Sequence, residues 1–209
     1  MIASFEGEAC YHASHKYFVP VSEPRRMPGP AFLDGETVSL RTIEEEDIPF
    51  LQEAVNDPGV WRGIGRADPI NEPQEREFFE EVVSGDGNIT LLVTRDAETP
   101  LGTVSLTIKE ASQRAELGYW IAPDQQGQGY GSEASGMLVD FGFRQRGFHR
   151  IEARVFEFND DSRALLESLG FTHEGTHRDS QFLDGGYKDT LWYGVLEDEW
   201  DYAAYDDLY

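Results

Sequence analysis

The sequence predicts an α/β domain, and three observations carry that prediction. Apolar runs of strand length alternate along the chain with segments of helical period. The longest helical segment opens on glycines directly after a strand-like run, an arrangement that α/β folds use at ligand sites. The 209 residues suffice for one domain with a full core, and they contain no internal repeat.

The elements follow in order. Residues 1–34 carry four prolines, mixed aromatics and no clear period, so they read as an N-terminal extension of uncertain order, with Met27 as an alternative start. Residues 37–43 alternate like a strand, and an acid-led helix at 44–56 ends before Asp57-Pro58. Asn71 caps a second helix running to about Val83, with Pro73 tolerated in its first turn. Strands are expected at 89–94, 101–109 and 115–121. The glycine-led helix presents Ala134, Met137, Leu138 and Phe141 on one face and stops at Gly147. A strand at 149–156 and a short helix at 162–169 come next. Two last strands, near 171–178 and 188–196, form a hairpin through Asp184-Gly185-Gly186. The acidic aromatic tail, 201–209, either packs back or waves free.

The glycines after Ile121 are the most telling feature. Gly127, Gly129 and Gly131 precede a helix whose first backbone N–H groups lack intrahelical partners and carry the positive end of the macrodipole. Glycine lets that backbone come close to a bound group, so the segment reads as a phosphate or pyrophosphate site. A P-loop requires lysine after its last glycine, where this chain has Ser132. The dinucleotide fingerprint fits Gly129-x-Gly131-x-x-Ala134, with Glu152 about twenty residues on. That motif, however, opens immediately after its strand, whereas Pro123-Asp124-Gln125-Gln126 intervenes here. The third pattern, Gln126-x-x-Gly129-x-Gly131, matches the acetyl-CoA signature [Q/R]-x-x-G-x-[G/A] without strain.

On these residues the chain resembles the GNAT N-acetyltransferase superfamily, and within it the ribosomal-protein N-terminal (Rim-type) branch. Residues 116–121 resemble its central strand, Gln126 to Glu133 its pyrophosphate loop, and Asn159-Asp160-Asp161-Ser162 followed by 165–171 its N-x-x-S…L-G-F segment. Residues 189–193 with Glu199-Trp200 are similar to its last strand and end. The resemblance implies a GNAT-type domain over 35–200: a mixed, mostly antiparallel central sheet of about seven strands with about four helices. It implies acetyl-CoA as co-substrate, its pyrophosphate held by backbone at Gln126, Gly127, Gln128, Gly129, Tyr130, Gly131 and Ser132. It also implies that the central strand splays from its neighbour at about Trp120–Ala122. The pantetheine arm would enter there against Trp120, Ile121 and Ala122, and an amide near Ile121 would polarise the thioester carbonyl. Asn159 would bind the arm, or cap a helix as its residue type also allows. Ser162 would protonate the departing thiolate, or cap the helix it starts.

The general base is less regular. The branch places a glutamate on the hairpin before its last strand, where this chain has Gln181, and an amide is no base near neutral pH. Glu116 on the central strand is the first substitute, ahead of Glu152 and Asp189. Each also suits an exposed strand charge or an ion pair with Arg150, Arg154 or Lys188. Trp61 and Arg62, in the loop between the first two helices, either wall the acceptor pocket or are a stray loop aromatic and its neighbour. Of the five histidines, His173 and His177 fit one strand face; no zinc spacing occurs, and no metal is expected.

Bulk composition adds constraints. Forty acidic residues against 17 basic give a net charge of −23, and only Lys16, Lys109 and Lys188 are lysines. Spread acidity with scarce lysine reads as adaptation to high salt, because at about 1 M the Debye length is only ~3 Å. The alternative is an acidic surface that attracts cationic acceptors. Nucleic acid and anionic membranes are not expected partners, since no basic footprint exists. One cysteine, Cys10, and the absence of a long apolar run or signal peptide suit a cytoplasmic enzyme, a monomer or homodimer. The expected activity is acetyl transfer to a primary amine, a protein N-terminus or a small molecule, by direct attack. A catalytically silent acyl-CoA sensor is the alternative that Gln181 leaves open.

Overall fold

The computed structural model describes residues 28–96, 98–109 and 113–208. Cys10, His12, His15, Lys16 and Met27 lie outside them. One eight-stranded sheet, ordered β1-β2-β3-β4-β5-β6-β8-β7, organises the chain. Its strands are β1 (Ala31–Asp34), β2 (Ser39–Thr42), β3 (Asn88–Arg95), β4 (Thr99–Lys109), β5 (Arg114–Ile121), β6 (Arg150–Phe156), β7 (Thr172–Leu183) and β8 (Gly186–Leu196). Every neighbouring pair is antiparallel except β5 and β6, which run parallel. The helices are α1 (Ile48–Val55), α2 (Pro58–Ile64), α3 (Glu72–Phe78), α4 (Tyr130–Arg146) and α5 (Asp160–Ser168).

Two elements exceed the sequence expectation. β1 pairs with β2 from within the segment assigned to the extension. α2 occupies a segment where the sequence predicts a loop. Asp57-Pro58, taken as a helix stop, is also a start: the Asp57 side chain accepts from the Gly59 amide at 2.7 Å, Pro58 fills the first turn, and Gly65 ends the helix in the left-handed region. Asn71 does cap α3, in a reciprocal pair with Gln74, and a π turn at Phe79–Val83 extends that helix to the expected end.

The two sheet faces bury different things. α4 and α5 cover one face with the main core, including Leu106, Leu117, Leu138, Ile151 and Tyr193. α1 and α3 cover the other with a smaller cluster of Ile43, Leu51 and Leu92, against which Phe50, Phe79 and Trp120 pack. α4 is buried beyond its expected stripe: Ser135, Gly136, Val139, Asp140 and Phe143 are also inside. The C-terminal tail covers them. Trp200 stacks on Tyr205 at 5.3 Å and its Nε1 donates to Asp140 Oδ1 at 3.0 Å. Arg144 bonds both Asp140 and Asp206. Glu133 faces the opposite way and accepts from the Thr37 amide at 2.8 Å, fixing the β1–β2 hairpin to α4.

β7 carries a further correction. His173 pairs opposite Tyr193 but Gly175 pairs opposite Trp192, so a bulge at Glu174 reverses the facing of all that follows. His173 therefore meets the Tyr193 ring on the core side, while His177 meets the Trp192 ring on the other. The two histidines do not share a face.

Candidate active site

The site arises where the parallel pair comes apart. β5 and β6 pair from Arg114 opposite Arg150 to Leu117 opposite Ala153, and no further. Beyond that, β5 continues along β4 to Ile121 and β6 along β8 to Phe156. The opening therefore begins after Leu117, some three residues earlier than expected. The Ala122 amide donates to Leu101 O at 2.7 Å, and its carbonyl accepts from the Gln125 amide. Antiparallel alternation then turns the Trp120 and Gly118 backbone toward β4, and that of Tyr119 and Ile121 into the gap. Ala122 thus stays outside the cavity that fills this gap, because both its backbone groups are internally paired. Tyr119 takes its place as the second outward-facing residue, which the strand's period of two could have revealed.

The cavity measures about 800 Å³, and every other candidate cofactor residue lines it: Trp120, Ile121, the loop from Gln126 to Ser132, Asn159 and Ser162. At the loop, Gly127 and Gly129 have φ of 72° and 85°, conformations that side-chain-bearing residues rarely adopt. No side chain caps α4 at Gly129, so the first amides of a 17-residue helix stay available to an anion. Gly131 serves differently: a Cβ there would lie 3.2 Å from Leu165 and 3.5 Å from Ile121, so its lack of one seats α4 against α5 and β5. The Gln126 side chain donates to Ile121 O at 2.8 Å, tying the loop to the end of β5. Tyr130 is buried and its hydroxyl accepts from Arg95, leaving its backbone to the loop.

Opposite the loop, Asn159 caps α5: its Oδ1 accepts from the Ser162 amide at 3.1 Å. The same side chain lines the cavity, so capping and ligand contact are compatible, Oδ1 serving the helix and Nδ2 remaining as a donor. Because Asn159 is the cap, Ser162 sits one turn inside the helix and its hydroxyl has no capping duty. The Tyr119 hydroxyl donates to Ser162 O at 3.4 Å, and burial pushes its pKa up to about 12, so it stays protonated.

The face covered by α1 and α3 carries the remaining polar groups. Glu116 lines the cavity and holds Arg154 at 2.5 Å, with Lys109 at 3.7 Å. Arg154 lies over the Trp192 ring at 5.6 Å, His177 packs against the same ring at a tilt, and all three line the cavity. Gln181 also lines it and donates to Gly65 O at 3.3 Å, linking the hairpin to the end of α2. Glu152 does not reach the cavity and pairs with Arg114 and Arg150. Asp189 accepts from the Asp179 amide at 2.8 Å, at a second irregularity of β7 between His177 and Gln181. Trp61 and Arg62 point away. Arg62 stacks on Trp61 and pairs with Asp184 at 3.2 Å, while Gly59, Val60, Gly63 and Ile64 on the opposite side of α2 form the wall. His177 and the glycine face of α2 are parts that the sequence did not reveal, one because of the bulge and the other because the helix itself went unseen.

An uncapped helix start, an opened sheet edge and a carboxylate with a hydroxyl across one cavity suit a phosphorylated acyl carrier whose arm lies along β5. Residues 37–172 match the acetyltransferase (GNAT) domain family. The "Uncharacterized N-acetyltransferase p20" of Bacillus licheniformis is 30% identical over 170 residues, covering 79% of this chain and 96% of that protein. The "Putative ribosomal N-acetyltransferase YdaF" of Bacillus subtilis (strain 168) is 26% identical over 176 residues, covering 79% and 94%. Among solved structures, a spermidine N-acetyltransferase from Vibrio cholerae in complex with CoA and spermine has the same fold, with a TM-score of 0.74 at 22% identity over 79% of this chain and 98% of that one. With the acyl-carrier loop, the opened strand pair and these matches together, the chain belongs to the GNAT acetyltransferases, enzymes that transfer the acetyl group of acetyl-CoA to an amine.

Proposed function

We propose that this enzyme is a Rim-type GNAT acetyltransferase that acetylates a primary amine by direct attack, in a salt-adapted cytoplasm. The observation that carries the reading is one cavity holding Glu116 on the acceptor face and Ser162 at the start of α5. In this reading the loop from Gln126 to Ser132 binds the pyrophosphate by backbone amides, and the arm follows the outward backbone of Tyr119 and Ile121. Asn159 Nδ2 holds the arm. The acceptor ammonium loses its proton to Glu116 through water, since Arg154 keeps the carboxylate in place. The neutral amine then attacks the thioester carbon and a gap-facing β5 amide stabilises the oxyanion; as the C–S bond breaks, Ser162 donates its proton to the thiolate and regains one from the attacking nitrogen through water. Similarity to the ribosomal-type relative supports the branch, and the −23 net charge supports the salt adaptation. The catalytic domain in this reading spans 35–200, and Tyr202, Tyr205 and Leu208 of the tail after it pack on the same core.

The test is thiol release from acetyl-CoA in multimolar KCl, against N-terminal peptides, polyamines and aminoglycosides. Release that depends on one amine class, and that declines in dilute salt, is the expected result. Acetyl-CoA binding without release for any amine would overturn the catalytic assignment.

A further inference from the structure

A second cavity, of about 250 Å³, lies beneath α3 and shares Ile64, Gly118, Tyr119 and Trp120 with the first. Its chemistry is unexpected for its position. Glu75 stands on the inward stripe of α3, in series with Phe78, Phe79, Val82 and Val83 at spacings of three, four, seven and eight. An apolar side chain belongs there by pattern, yet the residue, only 3% exposed overall, turns its carboxyl to the cavity. Among the described residues it accepts no hydrogen bond and joins no ion pair. The opposing wall is also polar: Thr90, Thr103, Ser105 and Thr107 turn hydroxyl-bearing side chains from β3 and β4 toward it, and Gly118 leaves room between them.

A carboxyl without a hydrogen-bond partner in so enclosed a place is costly to ionise unless a cation meets it. Burial pushes its pKa up, and Arg66 at the cavity mouth opposes that only through space. The aromatic faces of Trp120 and Phe78 complete a lining that suits an ammonium, which carboxylates, hydroxyls and rings all attract. The two cavities share the wall formed by Ile64 and Gly118 to Trp120, which puts Glu75 on the side of that wall toward which the far end of an acceptor would extend.

We infer that Glu75 and its hydroxyl-lined cavity form a subsite for a second ammonium of the acceptor, so that the substrate class is a diamine or polyamine. The inference rests on the transferase reading and deepens it. Polyamine binding also fits a surface with 40 acidic residues against 17 basic, which draws in multivalent cations.

The experiment compares spermidine and putrescine with a linear monoamine of matched length, by thiol release at fixed KCl. Release with the monoamine on the wild-type enzyme reports the transferase itself, independently of the subsite. The readout is the ratio of KM for the monoamine to KM for the diamine. Glu75→Gln, nearly the same shape, is expected to lower that ratio at least tenfold. A ratio within twofold of wild type, with both KM values unchanged or raised alike, would show a merely structural carboxyl and overturn the proposal. If Glu75→Gln does not fold, Arg66→Gln at the exposed mouth decides. Removing the competing cation is expected to raise the ratio severalfold, and an unchanged or lowered ratio overturns the subsite.

Discussion

Replacing Trp200 tests whether the C-terminal tail is part of the catalytic domain's stability. The ring is 7% exposed, stacks on Tyr205 at 5.3 Å, and approaches Phe143 at 5.9 Å. Its N–H reaches Asp140, a carboxylate with no exposed surface, whose other partner is Arg144. Truncating a buried aromatic costs about 3–5 kcal/mol, and the tail beyond it loses its anchor. For a chain of this size each kcal/mol moves Tm by roughly 2–4 °C, so Trp200→Ala should lower Tm by about 10–15 °C. Trp200→Phe keeps most of the packing and removes the donor. Leaving Asp140 with one partner fewer should cost about 1.5–3 kcal/mol, roughly 4–8 °C. In an Asp140→Asn background the Phe substitution should cost clearly less, because the charge that needed the N–H is gone. The assay is thermal unfolding at constant KCl. A Trp200→Ala protein melting within about 2 °C of wild type would refute the docking of the tail, and equal costs for Trp200→Phe in both backgrounds would refute the bond to Asp140.

Ser162→Ala should lower kcat by about 10²–10⁴ with Tm unchanged, since Asn159 provides the cap, whereas Asn159→Ala should lose roughly 1 kcal/mol of stability and raise KM for acetyl-CoA; steady-state kinetics beside melting curves separate the two. Gly131→Val should abolish acetyl-CoA binding in calorimetry, as its side chain would collide with Leu165 and Ile121 at the loop. Glu75 has a stability consequence as well. Its folded-state pKa lies above its unfolded one, so the native chain binds the proton more tightly and stability falls as pH rises from the ordinary carboxylate range through the raised value. Glu75→Gln should flatten that part of the Tm–pH profile and raise Tm above it; an unaltered profile would show the carboxyl to be effectively solvated.

Much of this site is legible because local chemistry fixes it. The run Gly127-x-Gly129-x-Gly131 before an amphipathic helix needs no tertiary information, and the left-handed φ values at the first two glycines are what such a loop requires. Asn71 and the hairpin through Asp184 and Gly185 are equally local. What the sequence hid depends on long-range pairing. The opening of β5 from β6 reflects where two distant strands stop bonding, which places Tyr119 rather than Ala122 in the gap. The bulge at Glu174 costs one residue of register and sends His173 and His177 to opposite sides. α2 is short and partly apolar, so its periodicity was too brief to register against the Pro-Gly start. Glu75 was visible only as one acid among 40, because nothing local distinguishes an inward carboxyl from a solvated one.

The register of β5 against β4 is what joins the two halves of the chemistry. Side chains at 117, 119 and 121 face α4 and α5, and those at 116, 118 and 120 face α1 and α3. Tyr119 thus reaches Ser162 while Trp120 packs against Phe50, and a slip of one residue would exchange them. Gly102 holds that register from the facing strand. A Cβ there would fall 2.0 Å from Trp120 O and 2.9 Å from Ile121 Cα, so the strands approach closely only with glycine at this place. The Ala122 amide closes the same pairing by bonding to Leu101. The thioester side, the acceptor side and the cavity under α3 all share Gly118 to Trp120. In the proposed mechanism, fixing those three residues aligns an acyl carrier entering from one face with an amine entering from the other. On that proposal the backbone of one strand, more than any single side chain, sets where the two reactants meet.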